Sequence, residues 1–311
     1  MSVAVVVPSC RPDRLADFLR CWGYQFDDYN ATVLVVRDDT PNGEVHRYDS
    51  CDVDRYEVVG DAASIMGDDA EIVPRQSPAC RCIGFAWLAA NEKHDAVVTL
   101  DDDLTPDGDT LGDHLYALSM RVPTSWMSST SWGSPYMRGF PYGVRNESPV
   151  WVSHGVWQNI PDLDAPTQLV LGDSPGVSFY KGPVPKGVYF PVCGMNLAFR
   201  WEALPLMYWS PAKMLPGAER FDDIWMGIRL TRRLEKMEAA LVTGFASCIH
   251  TRASNTFKNL EQEARGIGLN EGHWRHDGVS DAAAARFFEH DIDWAARWSR
   301  RMLADMQRNE A

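Results

Sequence analysis

No apolar run in this sequence approaches the roughly 20 residues that a bilayer-spanning helix needs, so no membrane span is expected. The apolar start at residues 3–7 is short and lacks a basic n-region, and Pro8 and Arg11 end it. A secretory signal is therefore not expected either. Basic charge is scarce: 30 Lys and Arg stand against 43 Asp and Glu, a net −13. Nonspecific binding along a nucleic-acid backbone, which needs a basic surface, is not expected. A small anionic ligand held by a few arginines and a metal stays open. The seven cysteines, at 10, 21, 51, 80, 82, 193 and 248, are odd in number and irregular in spacing. Cys80 and Cys82 are too close for the usual zinc pair. They read as reduced, mostly buried thiols of a cytoplasmic protein. The sequence shows no internal repeat, low-complexity tract or linker. Its 311 residues would allow about two domains. The second half nevertheless reads as a cover for the first, within one domain.

What is present begins with the run Val97-Val98-Thr99-Leu100-Asp101-Asp102-Asp103-Leu104. Four strand-forming residues lead into three carboxylates. Residues two apart in an extended chain face one side. Asp101 and Asp103 should therefore point together, with Asp102 turned away. Paired hard oxygens suit Mg²⁺ or Mn²⁺, particularly when phosphates complete the shell. A solvated acidic turn or a helix cap is the alternative. Upstream, residues 3–7 and 32–36 are β-branched runs that read as strands buried on both faces. Pro12 and Asp13 open a helix to about residue 22, and Ser77-Pro78 open another to about 91. Strand, helix, strand, helix, strand predicts an α/β fold with a mostly parallel twisted sheet and helices on both faces. Ligands of such sheets lie beyond the carboxyl ends of the strands. Ser9/Arg11, Asp38/Asp39 and Asp101/Asp103 should then line one crevice. In the second half, strands are expected near 125–130, 149–153, 187–191 and 240–244, and helices near 221–237 and 280–306.

Other groups admit two readings. Asp222 and Asp223 open an apparent helix, as capping acids or as a base or nucleophile in the crevice. His250 is a packed histidine or a third metal ligand beside the acidic pair. Arg138 and Arg145 flank a Gly/Pro/aromatic loop and are solvated or paired with a diphosphate; Lys181 and Lys186 are weaker candidates of that kind. Gly194 either allows close approach of a ligand or packs in a turn, with Asn196 next to it on a strand-like end. His273 and His276 have helical spacing without a third ligand nearby. Phe288, Ile292, Ala295, Trp298 and Met302 recur at helical spacing, a face for the body or for a second subunit.

The segments VVPSCR (6–11), SPACRCIGF (77–85), TLDDD (99–103), RGFPYGVR (138–145), SHGVWQNIPDLDAPTQLV (153–170), VPKGVYFPVCGMNLAF (184–199), RFDDIWMG (220–227) and IHTRASNTFKNL (249–260) together resemble the reversibly glycosylated polypeptides, whose plant members include UDP-arabinopyranose mutases. The loop after Thr40, the helix after Trp225 and the last roughly 40 residues depart from that pattern. The resemblance implies a GT-A-like (nucleotide-diphospho-sugar transferase) fold. Residues 1–275 would form one catalytic domain, with a nucleotide half (1–104) and a sugar and acceptor half (105–275), followed by a helical segment (276–311). It implies a UDP-sugar, UDP-arabinose first, and a divalent cation, Mn²⁺ first and Mg²⁺ second. Pro8, Ser9, Arg11, Asp38 and Asp39 would surround the uridine, with Arg81 near the nucleotide. The 101–103 cluster would meet metal and diphosphate, with Asp103 the direct ligand and Asp101 held towards ribose or metal. Arg138 matches the reversibly glycosylated position and Arg145 its partner. The implied activity is a UDP-arabinopyranose/UDP-arabinofuranose mutase with self-glycosylation. A transferase acting on a separate acceptor and an inactive UDP-sugar binder are the alternatives, and a homo-oligomer is compatible with each.

Overall fold

A computed structural model describes residues 1–48, 54–172, 175–251, 254–275 and 282–310, the side chains of 273–275 excepted. Its first half alternates as expected: β1 (Val3–Ser9), α1 (Pro12–Asp28), β2 (Thr32–Arg37), β3 (Glu44–Tyr48), β4 (Tyr56–Gly60), α2 (Ala62–Met66), α3 (Arg81–Asn91) and β5 (Ala96–Leu100). There follow β6 (Leu104–Pro106), α4 (Thr110–Ser119), β7 (Arg121–Val122), β8 (Ser148–Asn159), α5 (Ala165–Leu171), β9 (Gly182–Pro183), β10 (Asn196–Arg200), α6 (Asp222–Lys236), β11 (Ala240–His250), α7 (Thr256–Arg275) and α8 (Ala282–Glu310). Among the described residues, no helix is long and apolar enough to cross a membrane, and the described cysteines are free thiols. Cys51 and His276 lie outside the described residues.

One sheet runs in the order β4-β3-β2-β1-β5-β10-β8-β11-β6, with β7 beside β8 and β9 beside β11. β2, β1 and β5 are mutually parallel, as are β8 and β11; β10 runs antiparallel between the two groups. The apolar runs of the central strands are continuous because both faces are covered. Ala4 and Val6, Leu34 and Val36, and Val97 point into a core shared with α3, α6 and α8. Val3, Val5 and Val7, Val33 and Val35, and Val98 and Leu100 point into a core shared with α1 and α4. Period-two alternation thus serves two helix layers of an α/β architecture.

Several expectations need correction. α1 continues to Asp28 because Trp22 and Phe26 extend its buried stripe. Residues 125–130 and 187–191 form no strand. In the first, Ser125 and Thr124 donate to the Glu147 carboxylate, and Ser128 and Thr130 bond to each other. In the second, Gly187 has φ +81° and lies between Pro185 and Pro191. β8 and β11 outrun their expected ends; β11 carries an irregularity between Thr243 and Ser247, where Gly244 adopts φ +81°. The buried stripe of α8 is Ala284, Phe287, Asp291, Ala295, Trp298, Met302 and Asp305, so Ile292 is exposed. That stripe packs on this chain's own body: Trp298 Nε1 donates to the Leu204 carbonyl at 3.3 Å, and Arg297 and Arg301 pair with Asp69.

Gly84 fixes how closely α3 lies on the sheet. A Cβ there would stand 2.7 Å from Val6 Cγ1 and 3.2 Å from Val36 Cγ2. Gly84→Ala should therefore destabilise the protein by about 1–3 kcal/mol through overpacking, despite the ~1 kcal/mol that alanine returns in helix propensity. Urea denaturation checks this; an unchanged or higher midpoint would contradict the close packing.

Candidate active site

A 3₁₀ turn at Pro78–Cys80 leads into α3; Ser77 accepts from the Ala79 N–H there and Pro78 takes the turn's first position. This entry places Arg81 against the end of β5. Thr99 and Asp101 share the face of β5 that looks at α3, by the same alternation that puts Val97 there. The Arg81 guanidinium is fully buried. It donates through Nε to Pro78 O at 2.8 Å, through Nη1 to Thr99 Oγ1 at 2.8 Å and Gly194 O at 2.6 Å, and through Nη2 to Asp101 Oδ1 at 2.8 Å. Its carbon stands 5.1 Å from the Trp209 ring centre. Burial opposes the charge, but Asp101 more than offsets it, so the guanidinium pKa ends above its ordinary value.

The three carboxylates divide as expected. Asp102 falls on the opposite face, where Ser9 has the matching parity on β1. Ser9 Oγ donates to Asp102 Oδ2 at 2.6 Å, and Arg11 pairs with Asp102. Burial raises the Asp102 pKa against those two partners. Arg11 also reaches Asp103 Oδ2 at 3.1 Å. Asp101 and Asp103 border a cavity of about 1070 Å³, as do Arg81, Asp222, Asp223 and His250. Asp102 is tied into the framework and does not border it.

Asp222 and Asp223 occupy the first turn of α6; Asp222 is buried and Asp223 half-buried. Asp223 Oδ2 accepts the Gly194 N–H at 2.8 Å, whereas Asp222 Oδ2 has no hydrogen-bond partner among the described residues. Burial pushes the Asp222 pKa up to about 6, with Arg81 pulling the other way. Asp223 is pushed well up by burial and by the Asp222 charge next to it. Adjacent carboxyls resist double ionisation, so the pair keeps a proton to higher pH than ordinary carboxylates do.

His250 ends β11 opposite Leu104. Its Nδ1 lies 3.1 Å from the Ile160 carbonyl. A carbonyl only accepts, so Nδ1 donates to it, which leaves Nε2 as the ring nitrogen that a metal would take. The donor types of Asp101, Asp103 and His250 fit a hard divalent cation. They are not gathered into a ready ligand set: among the described residues no three His, Cys, Asp or Glu side chains form one. Asp101 is engaged by Arg81 and Asp103 by Arg11.

Other expected site residues stand elsewhere. Asp38 is buried and accepts from Arg75 Nε at 2.6 Å and the Ser77 N–H at 3.0 Å, holding the α3 entry to the end of β2. Asp39 pairs with Arg37, which lowers its pKa. Pro8 lies opposite Val36 in the sheet. None of Pro8, Ser9, Arg11, Asp38 and Asp39 borders the cavity, although Ser77 and Arg81, which Asp38 helps to position, do. Gly194 is not an open platform: a Cβ there would stand 3.0 Å from Trp209 Nε1 and 3.3 Å from Arg81 Nη1. Asn196 is buried away from the cavity, accepting from His114 at 2.8 Å and donating to Val156 O at 3.1 Å. Arg138 is exposed, and Arg145 stacks on Tyr142 with its guanidinium carbon 3.8 Å from the ring centre. Neither borders the cavity, nor do Lys181, which lies over Phe245, and Lys186, which pairs with Glu147. His273's side chain lies outside the described residues.

Sequence reasoning missed His154 and Trp157, which line the cavity from β8, and the Arg220–Glu263 pair at 2.7 Å on its far side. Periodicity marks β8 as buried and says nothing of what its polar groups meet. Only a His and a Trp within one buried strand could have flagged them.

A sequence profile of the reversibly glycosylated polypeptide family matches residues 1–275. The chain is 31% identical over 281 residues to UDP-arabinopyranose mutase 2 of Arabidopsis thaliana, covering 86% of this chain and 75% of that relative. It is 32% identical over 281 residues to UDP-arabinopyranose mutase 1 of Oryza sativa subsp. japonica, covering 86% and 74%. The crystal structure of A197 from STIV aligns with a TM-score of 0.36 at 13% identity, over 81% of this chain and 87% of that one.

The raised Asp222 pKa has a signed consequence. An acid at about 6 in the folded state and about 3.9 unfolded holds its proton more tightly when folded. Its contribution to stability is full below pH ~4 and is lost as pH rises through ~6. Asp222→Asn should therefore match wild type near pH 4 and become the more stable protein above pH 6. Urea midpoints measured across that range test this, and parallel curves for the two proteins would contradict it.

Proposed function

The chain belongs to the reversibly glycosylated polypeptide family, and from that premise we propose that it interconverts UDP-arabinopyranose and UDP-arabinofuranose. The observation that carries the reading is that one cavity joins the acidic end of β5, the buried guanidinium of Arg81 and the adjacent acid pair of α6. These are the groups that a diphosphate leaving group and a sugar in ring exchange require.

In this reading the C1–O(UDP) bond breaks and the 4-hydroxyl oxygen bonds to C1. The bond between C1 and the former ring oxygen then breaks, and UDP rejoins C1. One proton moves from the 4-hydroxyl to the former ring oxygen, with no net oxidation. The Asp222/Asp223 pair suits that transfer, because it retains a proton near neutrality while one carboxylate is free to accept another. Positive charge at C1 is favoured by the same carboxylates. Asp101 and Asp103, with His250 Nε2, are the groups that would hold Mn²⁺, or Mg²⁺ in its place. Such an ion supplies neutralising charge to the departing diphosphate. Arg81 holds Asp101 at the cavity wall through the Nη2–Oδ1 contact.

Arg138 enters the reading as an electrostatic group, and its self-glycosylation as a side reaction of the activated sugar. A guanidinium that stays protonated is a poor nucleophile. Because Arg138 is exposed away from the cavity, its segment would have to move over the cavity before it met the sugar.

NMR of UDP-arabinopyranose incubated with the protein and Mn²⁺ should show the furanose isomer appearing without net release of UDP and without an added acceptor. Release of UDP that depends on an added acceptor would instead favour a transferase. Asp223→Asn should lower kcat by about 10²–10⁴-fold with a smaller change in KM, and chelation should abolish turnover until Mn²⁺ is restored. Full turnover by Asp223→Asn would remove the acid pair from the mechanism.

A further inference from the structure

Besides Asp222, two residues that line the cavity carry a buried polar atom with no hydrogen-bond partner among the described residues: His154 Nε2 and Trp157 Nε1. Both belong to β8, whose other buried polar groups are satisfied: Ser153 bonds to His114 at 2.9 Å. Buried polar groups in native proteins are nearly always paired, so an orphan at a cavity needs an explanation.

The His154 ring is held on three sides. Its Nδ1 lies 2.9 Å from Thr243 Oγ1 on β11. Trp157 meets it edge-to-face with ring centres 5.9 Å apart, and Phe190 does the same at 5.2 Å. With Nδ1 anchored and both flanks packed, Nε2 is directed by the fold and not by solvent. The ring is 6% exposed, and burial pushes its pKa down to about 3. The imidazole is therefore neutral at physiological pH. It is not equipped to exchange protons there, but it can make one directional hydrogen bond through Nε2. The indole N–H of Trp157 can only donate, and it needs an oxygen.

We propose that His154 is a specificity-determining residue that reads a ring hydroxyl of the bound sugar through Nε2, with the Trp157 indole N–H supplying a second hydroxyl contact. The ligand class is a polyhydroxylated sugar carried on a nucleoside diphosphate, so this inference rests on the UDP-sugar reading above. A site built to bond a hydroxyl discriminates strongly against an analogue that lacks it, because the protein atom is left unpaired.

The test compares wild type with His154→Phe by calorimetric titration of UDP, UDP-arabinose and its 2-deoxy and 3-deoxy analogues. In wild type, one deoxy analogue should bind about 5–100-fold more weakly than UDP-arabinose. In His154→Phe that gap should close to within about twofold, while UDP alone binds both proteins alike. A gap that persists in the variant, or that is missing from wild type, overturns the proposal. So does a loss of UDP affinity as large as the loss of UDP-arabinose affinity, which would mark a purely structural histidine. Should His154→Phe fail to fold, His154→Gln supplies the same comparison, with the gap narrowed. If wild type binds neither UDP nor UDP-arabinose, the UDP-sugar reading falls and this inference falls with it. If UDP binds and hydroxyl loss is not felt through His154, only this inference falls.

Discussion

A single buried cation, Arg81, is the interaction on which the arrangement of the site depends. Removing a guanidinium from water is costly unless its donors and its charge are matched. Here they are matched by groups from three separated stretches of chain: Pro78 at the helix entry, Thr99 and Asp101 at the end of β5, and the carbonyl of Gly194. Satisfying Arg81 therefore assembles the site. Gly194 passes the constraint on, since its N–H is taken by Asp223. Its lack of a side chain lets Trp209 close over the guanidinium. Asp222 is left with an unpaired oxygen at the cavity and feels Arg81 only through space.

How much of this is readable from the amino-acid order depends on the range of the interaction. The division of Asp101 and Asp103 from Asp102 follows from parity alone, as do the two-faced strands β1, β2 and β5. The helix entries at Pro12 and Pro78 follow from proline chemistry. Asn196 and Gly194 could not be read, because their partners lie 82 and 113 residues away. The same limit hid the tie of Asp38 to Arg75. A charged residue near a strand end has a local explanation and a distant one. Only the packed structure chooses between them.

The C-terminal helix α8 lies beyond residue 275, where the family profile ends, yet it reaches the site through hydrogen bonds. Buried Asp291 pairs with Arg229 of α6 and accepts from Ser210 Oγ at 3.1 Å. The Ser210 N–H in turn donates to the Asp222 carbonyl at 3.2 Å. Asp291, a buried acid in the stripe that α8 turns to the body, thus fixes the first turn of α6, where the acid pair sits.

The alternation of β5 also limits how this protein can diverge. Deleting one residue between Val97 and Leu100 would turn Asp102 towards Arg81 and the cavity. Asp101 and Asp103 would be carried to the Ser9 side, and every buried contact of the strand would be inverted. Loss of two residues would preserve the facing but shorten the reach. Substitution can therefore explore this strand, but insertion and deletion in odd steps cannot, so lineages descended from this site should keep the number of residues between Ala96 and Asp101 even while the residues themselves drift.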